Sequence, residues 1–435
     1  MEPMEDTTTS ATAHTATHEG KATADAPAGA SLATAQRSLG DRSAAFPLWP
    51  VLTAGCPSSS TADVSYPLEV DYAYDRAHPG LFDTLPSPRS QGLERFEPLM
   101  PPLHAPGLAE GGTPLVGVGD GVYIKDESRN PTWSHKDRLN RCTVSAAVGS
   151  GAQGVVVASS GNHGASAAAF AARAGLRCVV LTAVNAPPAI VSFLRAYDAV
   201  VLPVPLEESW PLLRKLSDRL GLHPVSNSTP THTGHPFGPE GYKSIAYEIH
   251  EEVGVPSAVF VPTGYGEMLF GVWKGFSELR RLGVASRTPR MFACEPAAGA
   301  PLAAALRRNL PAARVPVGPT DAYAISCEVS GYRAAVAVRE SGGDALPVDD
   351  EAMRAAQREL AGHGLWAELS SAAGLAGLRV HGTRRQTPGF DGPVVCISTS
   401  SGFKGRGVGA QSAEPADPGW DAVVRRLRAA GLDTA

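Results

Sequence analysis

The sequence predicts an α/β fold: two domains with mostly parallel sheets flanked by helices, plus an irregular N-terminal extension. Three observations predict it. From residue 112 onward, short apolar strands alternate with longer helical stretches. Four polar or glycine-rich loops follow strands and lead into helices, or lie just past the last strand. The chain has 435 residues, 43% of them hydrophobic, which is long enough for two cores and an added segment.

Residues 1–45 are rich in Ala, Thr and His and carry almost no large apolar side chain. They are expected to be a disordered tail, because they cannot offset the entropy of ordering. Residues 46–110 are expected to be a proline-rich N-terminal extension in which 66–72 alternate like a short strand. Beyond it, strands are expected over 154–159, 177–183, 199–204, 258–262, 290–295 and 394–398. Helices are expected over 165–174, 189–197, 207–220, 239–253, 268–282, 349–363 and 370–381, with Gly175 and Gly221 as stops. Such alternation implies parallel sheets covered on both faces. The expected division is a large domain from 111–150 and 236–410, a small domain over 151–235 inserted in it, and a C-terminal segment over 411–435.

Composition narrows the function classes. The net charge is −5, and no run of Lys or Arg suits nucleic acid. The six cysteines (Cys56, Cys142, Cys178, Cys294, Cys327 and Cys396) form no Cys-x-x-Cys pair, which argues against a zinc knuckle or a disulfide framework. Buried reduced thiols are expected instead. No apolar stretch reaches membrane length, and the N-terminus lacks a basic region followed by an apolar core. The expectation is a cytoplasmic protein without metal, membrane or nucleic-acid partners.

Ligands in parallel sheets bind at the carboxyl ends of strands, so the four loops are the candidate site. The first runs over 125–138 and carries Lys136 where a helix begins. The positive end of that helix disfavours an ammonium, and a neutral amine is what a Schiff base needs. The plainer alternative is a surface lysine paired with Asp137 or Asp126. The second loop, Ser159, Ser160, Gly161, Asn162, His163 and Gly164, precedes a helix of small residues and offers an anion cradle suited to a carboxylate. The Asn162 amide suits a phenolic oxygen. His163 is either a spare acid or base or a structural hydrogen-bonding group. The third loop carries Gly264, Tyr265, Gly266, Glu267 and Met268. Its glycines let the backbone wrap a phosphate, but it lacks the Lys-Ser/Thr of a P-loop and the third glycine of a dinucleotide fingerprint. The fourth, over 396–404, places the Thr399 hydroxyl at a strand end, where it suits a pyridine nitrogen.

Together these loops resemble the fold-type II (tryptophan synthase β) pyridoxal-phosphate enzymes, and their threonine synthase-like members most closely. The run over 130–138 matches Asn-Pro-Thr-Gly-Ser-Phe-Lys-Asp-Arg around the Schiff-base lysine. Ser-Gly-Asn matches at 160–162, Gly-Asn-x-Gly-Asn at 264–268, and Thr-Gly-x-Gly-Leu-Lys at 399–404. Further parallels at 66–70, 110–115, 240–243 and 368–372 keep the family's order.

The resemblance implies pyridoxal 5′-phosphate on Lys136. It implies that Gly264, Tyr265, Gly266, Glu267 and Met268 hold the phosphate, Thr399 the pyridine nitrogen, and Asn162 the phenolic oxygen. Ser159, Ser160, Gly161 and His163 would bind a small amino-acid substrate. The implied reaction converts O-phosphohomoserine and water to threonine and phosphate by elimination and replacement through an external aldimine. Lys125, Ser134, Arg138 and Lys243 are candidates for the substrate phosphate. The family commonly forms homodimers.

This sequence departs from the pattern at Trp133 (glycine in the family), at His135 (phenylalanine) and across the phosphate loop. Glu267 there sets a carboxylate against a phosphate, so its side chain is expected to point away. Two alternatives stay open: a serine/threonine dehydratase-like enzyme of β-elimination or β-replacement, and an inactive binding protein that keeps the fold.

Overall fold

Three short strands open the described chain: β1 (Ala33–Ser38), β2 (Ala45–Pro47) and β3 (Leu68–Tyr72), antiparallel in the order β2-β1-β3. The computed structural model describes residues 30–78, 80–83, 92–383, 389–406, 408 and 416–432. The expected tail lies outside the described residues over 1–29, but over 33–38, and at Ala45 where β2 begins, the expectation of disorder is corrected. The reason is physical. β1 is held by main-chain pairing to both neighbours and by the buried Gln36, so it needs few apolar side chains. The Gln36 amide donates to the carbonyls of Pro47 at 2.9 Å and Pro50 at 3.0 Å and accepts from the Leu52 amide at 2.9 Å.

The body follows in chain order. β4 (Leu115–Gly117), β5 (Val122–Asp126) and α1 (Lys136–Gly149) come first. Next are β6 (Gly154–Ala158), α2 (Asn162–Arg173), β7 (Arg177–Thr182), α3 (Pro188–Ala196), β8 (Val200–Pro203), α4 (Leu206–Leu220) and β9 (His223–Pro224). Then come α5 (Gly238–Val253), β10 (Ala258–Pro262), α6 (Glu267–Arg281) and β11 (Arg290–Pro296). The remainder comprises α7 (Pro301–Arg307), α8 (Tyr332–Ser341), β12 (Asp344–Val348), α9 (Asp350–Gly362), α10 (Ala373–Thr383), β13 (Val394–Ser398) and α11 (Trp420–Ala429).

Two sheets carry the body. One has the order β12-β11-β10-β13-β5-β4, parallel except for β4 against β5. The other, β8-β7-β6-β9, is parallel throughout. Every residue of β10 and β13 is buried, as strands covered on both faces require. Helix α1 packs against α2 of the smaller sheet and α5 of the larger, so the residues at its start stand where the two layers meet.

Elements the pattern did not announce have identifiable causes. Helix α8 buries Arg333, Ala334, Ala335, Val336, Ala337 and Val338 in succession, which erases an amphipathic period. Strand β12 contains Pro347 and lies at the sheet edge, where proline is tolerated but masks the strand signal. All six cysteines are buried and free, as expected. Among the described residues no helix is long and apolar enough to cross a membrane.

Candidate active site

Lys136 is the first residue of α1, as the sequence predicts. It is half-buried, and its proton affinity is lowered. Burial is the main cause, and the charges of Glu267 and Cys327 oppose it. Burial thus lowers it in the same direction as the helix start that the sequence suggested. The field of Glu267 at this nitrogen also ties Lys136 to the third loop, which lies far along the chain. Its Nζ lies 5.8 Å from the centre of the Tyr242 ring, against which His135 is stacked.

That third loop is an open set of donors. Among the described residues, the amides of Gly264, Tyr265 and Gly266 have no partner, and α6 begins without a side-chain cap. The amides of its first turn are therefore open too. Gly266 has φ +83°, and a Cβ there would stand 2.3 Å from the Ala334 Cβ, so only glycine fits against α8. Consecutive N–H groups at a helix start suit a phosphate. The Tyr265 ring stacks on His232 at 4.1 Å and 9°. The Met268 side chain is buried.

Helix α2 starts at Asn162, earlier than the expected 165, so the second loop supplies its N-terminus. The Ser159 hydroxyl accepts from the Gly161 amide at 3.2 Å, and the Ser160 hydroxyl from the Ala183 amide at 2.6 Å. Each hydroxyl keeps its proton free to donate. Asn162 donates to Glu368 at 3.0 Å and accepts from Ser400 at 3.2 Å, which leaves one amide proton. His163 is held neutral by burial and the nearby Lys136 charge, and its Nε2 has no partner.

The fourth loop meets the first. The Thr399 carbonyl accepts from the His135 amide at 3.0 Å and contacts its Nδ1 at 3.1 Å; Ser134 bridges to Ser400. The Thr399 hydroxyl lies 2.8 Å from that of Ser371. Buried polar atoms without partners include Ser134 Oγ of the first loop, His163 Nε2 of the second, Tyr242 OH on α5 and Ser370 Oγ next to Ser371. Native interiors leave few such atoms, so they call for a polar guest. An amine of lowered proton affinity, an open amide cradle, a strand-end hydroxyl and these orphaned atoms fit pyridoxal phosphate.

A family model described as pyridoxal-phosphate dependent enzyme matches residues 106–400. The chain belongs to this family, in its threonine synthase-like, fold-type II branch. Its cofactor is pyridoxal 5′-phosphate. A threonine synthase of Methanosarcina acetivorans is 32% identical over 324 residues, which is 70% of this chain and 78% of that relative. One of Methanocaldococcus jannaschii is 30% identical over 362 residues, 78% of this chain and 86% of the relative. Two solved structures share the fold. Maize serine racemase has a TM-score of 0.56 at 19% identity, covering 74% of this chain and 94% of that one. O-Ureido-L-serine synthase with a lysine replaced by alanine has a TM-score of 0.57 at 22% identity, covering 72% and 95%.

Against the pyridoxal-phosphate enzyme pattern, each departure has a structural setting. Trp133 has φ +62°, a conformation that explains glycine in relatives. Its ring contacts Phe193 of α3 at 5.4 Å and Phe403 at 5.6 Å. The Glu267 carboxylate lies 3.9 Å from Arg333 and beside the Cα of Gly234, so it has protein partners of its own.

Three candidates for the substrate phosphate are corrected. Lys125 pairs with Glu248 at 2.8 Å, Arg138 with Glu127 at 2.7 Å and Glu248 at 2.6 Å, and Lys243 with Glu240 at 2.8 Å and Glu278 at 3.0 Å. All three are fully buried cations that balance interior carboxylates. Proximity in sequence could not reveal the partners that come from α5 and α6, Glu248 for Lys125 and Arg138 and Glu278 for Lys243. Ser134 stays available. The sequence reading also missed His232, Gly234 and Arg333, which surround the third loop; Gly234 was legible only as a turn residue, and Arg333 lies in the unread helix α8.

Proposed function

We propose that this chain converts O-phosphohomoserine and water to threonine and inorganic phosphate. The observation that carries the reading is the 30–32% identity to threonine synthases over 70–78% of the chain. The site's chemistry supports it. Pyridoxal phosphate, when bound, supplies an electron-withdrawing ring that makes the proton on the substrate's Cα acidic.

In this reading, the amides of residues 264–268 hold the cofactor phosphate, the Thr399 hydroxyl meets the ring nitrogen, and the free amide proton of Asn162 meets the phenolic oxygen. Ser159 and Ser160 donate their hydroxyl protons to the substrate carboxylate at the start of α2, with Gly161 and His163 completing that loop. The Lys136 Nζ takes the proton from Cα and returns it at the end, a task suited to an amine whose burial favours the neutral form. The rings of Trp133, Phe193 and Phe403 cover the junction of the two layers and restrict water there.

One observation favours a second reading, β-elimination on an unphosphorylated serine or threonine: Lys125, Arg138 and Lys243 are all engaged elsewhere. The test is to incubate the purified holoenzyme with O-phosphohomoserine and identify the products. Threonine and phosphate in equal amounts support the first reading. Neither product, with ammonia released from serine or threonine, supports the second.

A further inference from the structure

Removing Lys125, Arg138 and Lys243 leaves a phosphorylated substrate without an evident cation. Among the described residues, every buried lysine or arginine but one has a carboxylate within 3.9 Å. The exception is Lys404. It is 1% exposed, and its Nζ has neither an ion-pair partner nor a hydrogen bond. A buried ammonium in that condition is costly to the fold unless something else meets it.

Its position is specific. Lys404 follows β13 within a few residues of Thr399, and its amide bonds the Ser401 carbonyl at 3.1 Å. Its carbonyl accepts from the Tyr323 hydroxyl at 3.2 Å, which fixes the backbone. Its ammonium lies 5.0 Å from the centre of the Phe193 ring, in the helix of the smaller layer that also meets Trp133. The charges of Asp137 and Glu368 act on it from α1 and from the loop that holds Asn162. His135, beside the cofactor lysine, feels both Lys136 and Lys404. Burial pushes the Lys404 ammonium down to about 8, which an incoming anion would reverse.

We propose that Lys404 binds the second anionic group of the substrate, the phosphate carried on the side chain of a γ-phosphorylated amino acid. This rests on the reading that the substrate is phosphorylated. Phosphate brought to Lys404 would give the ammonium the direct partner it lacks, where Asp137 and Glu368 act on it only without contact, and the unpartnered hydroxyl of Ser134, bridged to the same loop, is available to donate to it. An unphosphorylated amino acid, whose carboxylate is held at the start of α2, has no second anion for that charge, so the residue discriminates between the two substrate classes.

The test uses pyridoxal-phosphate-loaded wild-type, Lys404→Met and Lys404→Arg proteins. Inorganic phosphate is titrated by calorimetry, L-threonine affinity is measured by the change in cofactor absorbance, and steady-state rates are measured with O-phosphohomoserine. Lys404→Met is expected to weaken inorganic phosphate and raise KM by about tenfold or more, with a smaller change in kcat. L-threonine, which has no second anion, should move less than twofold, and Lys404→Arg should recover part of the loss. If wild type fails to act on O-phosphohomoserine, the reaction assignment falls while phosphate binding still decides the role of Lys404. Phosphate affinity within twofold of wild type in Lys404→Met overturns the proposal. So does an equal loss for phosphate and threonine, which would place Lys404 at the carboxylate.

Discussion

Glu267 and Gly234 share one space: a Cβ built on Gly234 would stand 2.0 Å from Oε1 of Glu267. Gly234 has φ +58°, and Arg333 lies 3.9 Å from the same carboxylate. Arg333 itself is fixed by donating to the main-chain carbonyls of Thr233 and Leu68. A glycine from one segment and an arginine from α8 thus accommodate the Glu267 charge.

Gly234→Ala is therefore expected to displace the Glu267 side chain. The left-handed backbone alone costs about 1–2 kcal/mol, and the collision adds to it. Cofactor affinity, read by absorbance titration, should fall by about tenfold if the carboxylate is turned toward the phosphate. Adding Glu267→Gly should restore affinity and leave only the backbone cost, a coupling that independent sites would not give. Additive effects would show that the two residues do not compete.

Arg138→Met is expected to destabilise the fold by about 3–5 kcal/mol. It would strand Glu127 and Glu248, which are both buried and both bonded to this guanidinium. Urea unfolding of the holoenzyme measures it. A loss below 1 kcal/mol would mean that Lys125, at 2.8 Å from Glu248, balances the cluster alone.

Much of the site was legible because its chemistry is written in short runs. Lys136 begins a helix, the glycine loop follows a buried strand, and Thr399 ends one, all as the sequence indicates. What stayed hidden depends on partners distant in the chain. The interior ion pairs of Lys125 and Arg138 with Glu248 and of Lys243 with Glu278 join residues distant in the chain, and only Glu240, one helical turn before Lys243, gave a local sign of pairing. Strand β1 was invisible for a related reason: its pairing with β3 and the bonds of Gln36 replace the apolar alternation that would betray a strand.

Glu295 gives a pH-dependence of known sign. Burial raises its carboxyl to about 7, although it accepts from the amides of Leu302 at 2.9 Å and Ala303 at 2.8 Å. The unfolded chain releases this proton near the ordinary value of 4.5. Its contribution is thus fully present below 4.5 and is lost as pH rises to about 7, by up to about 3 kcal/mol. Wild type minus Glu295→Gln should show this decline in unfolding free energy. A flat or rising difference would mean that the amide bonds keep the carboxylate charged.

Trp133→Gly should leave stability within about 1 kcal/mol of wild type. Relief of the left-handed backbone, about 1–2 kcal/mol, offsets the loss of ring contacts with Phe193 and Phe403, about 0.5–1.5 kcal/mol each. Uncovering the junction should raise the KM for the amino-acid substrate severalfold. A destabilisation above 2 kcal/mol with unchanged KM would make the ring a structural bridge instead.

The most direct measurement is borohydride reduction of the holoenzyme followed by peptide mass mapping. The pyridoxyl label is expected on Lys136, with the visible cofactor band lost in Lys136→Ala. Lys404 is the natural rival, a second lysine near the same loops whose proton affinity is also lowered. A label on Lys404, or an unchanged band in Lys136→Ala, would contradict the account.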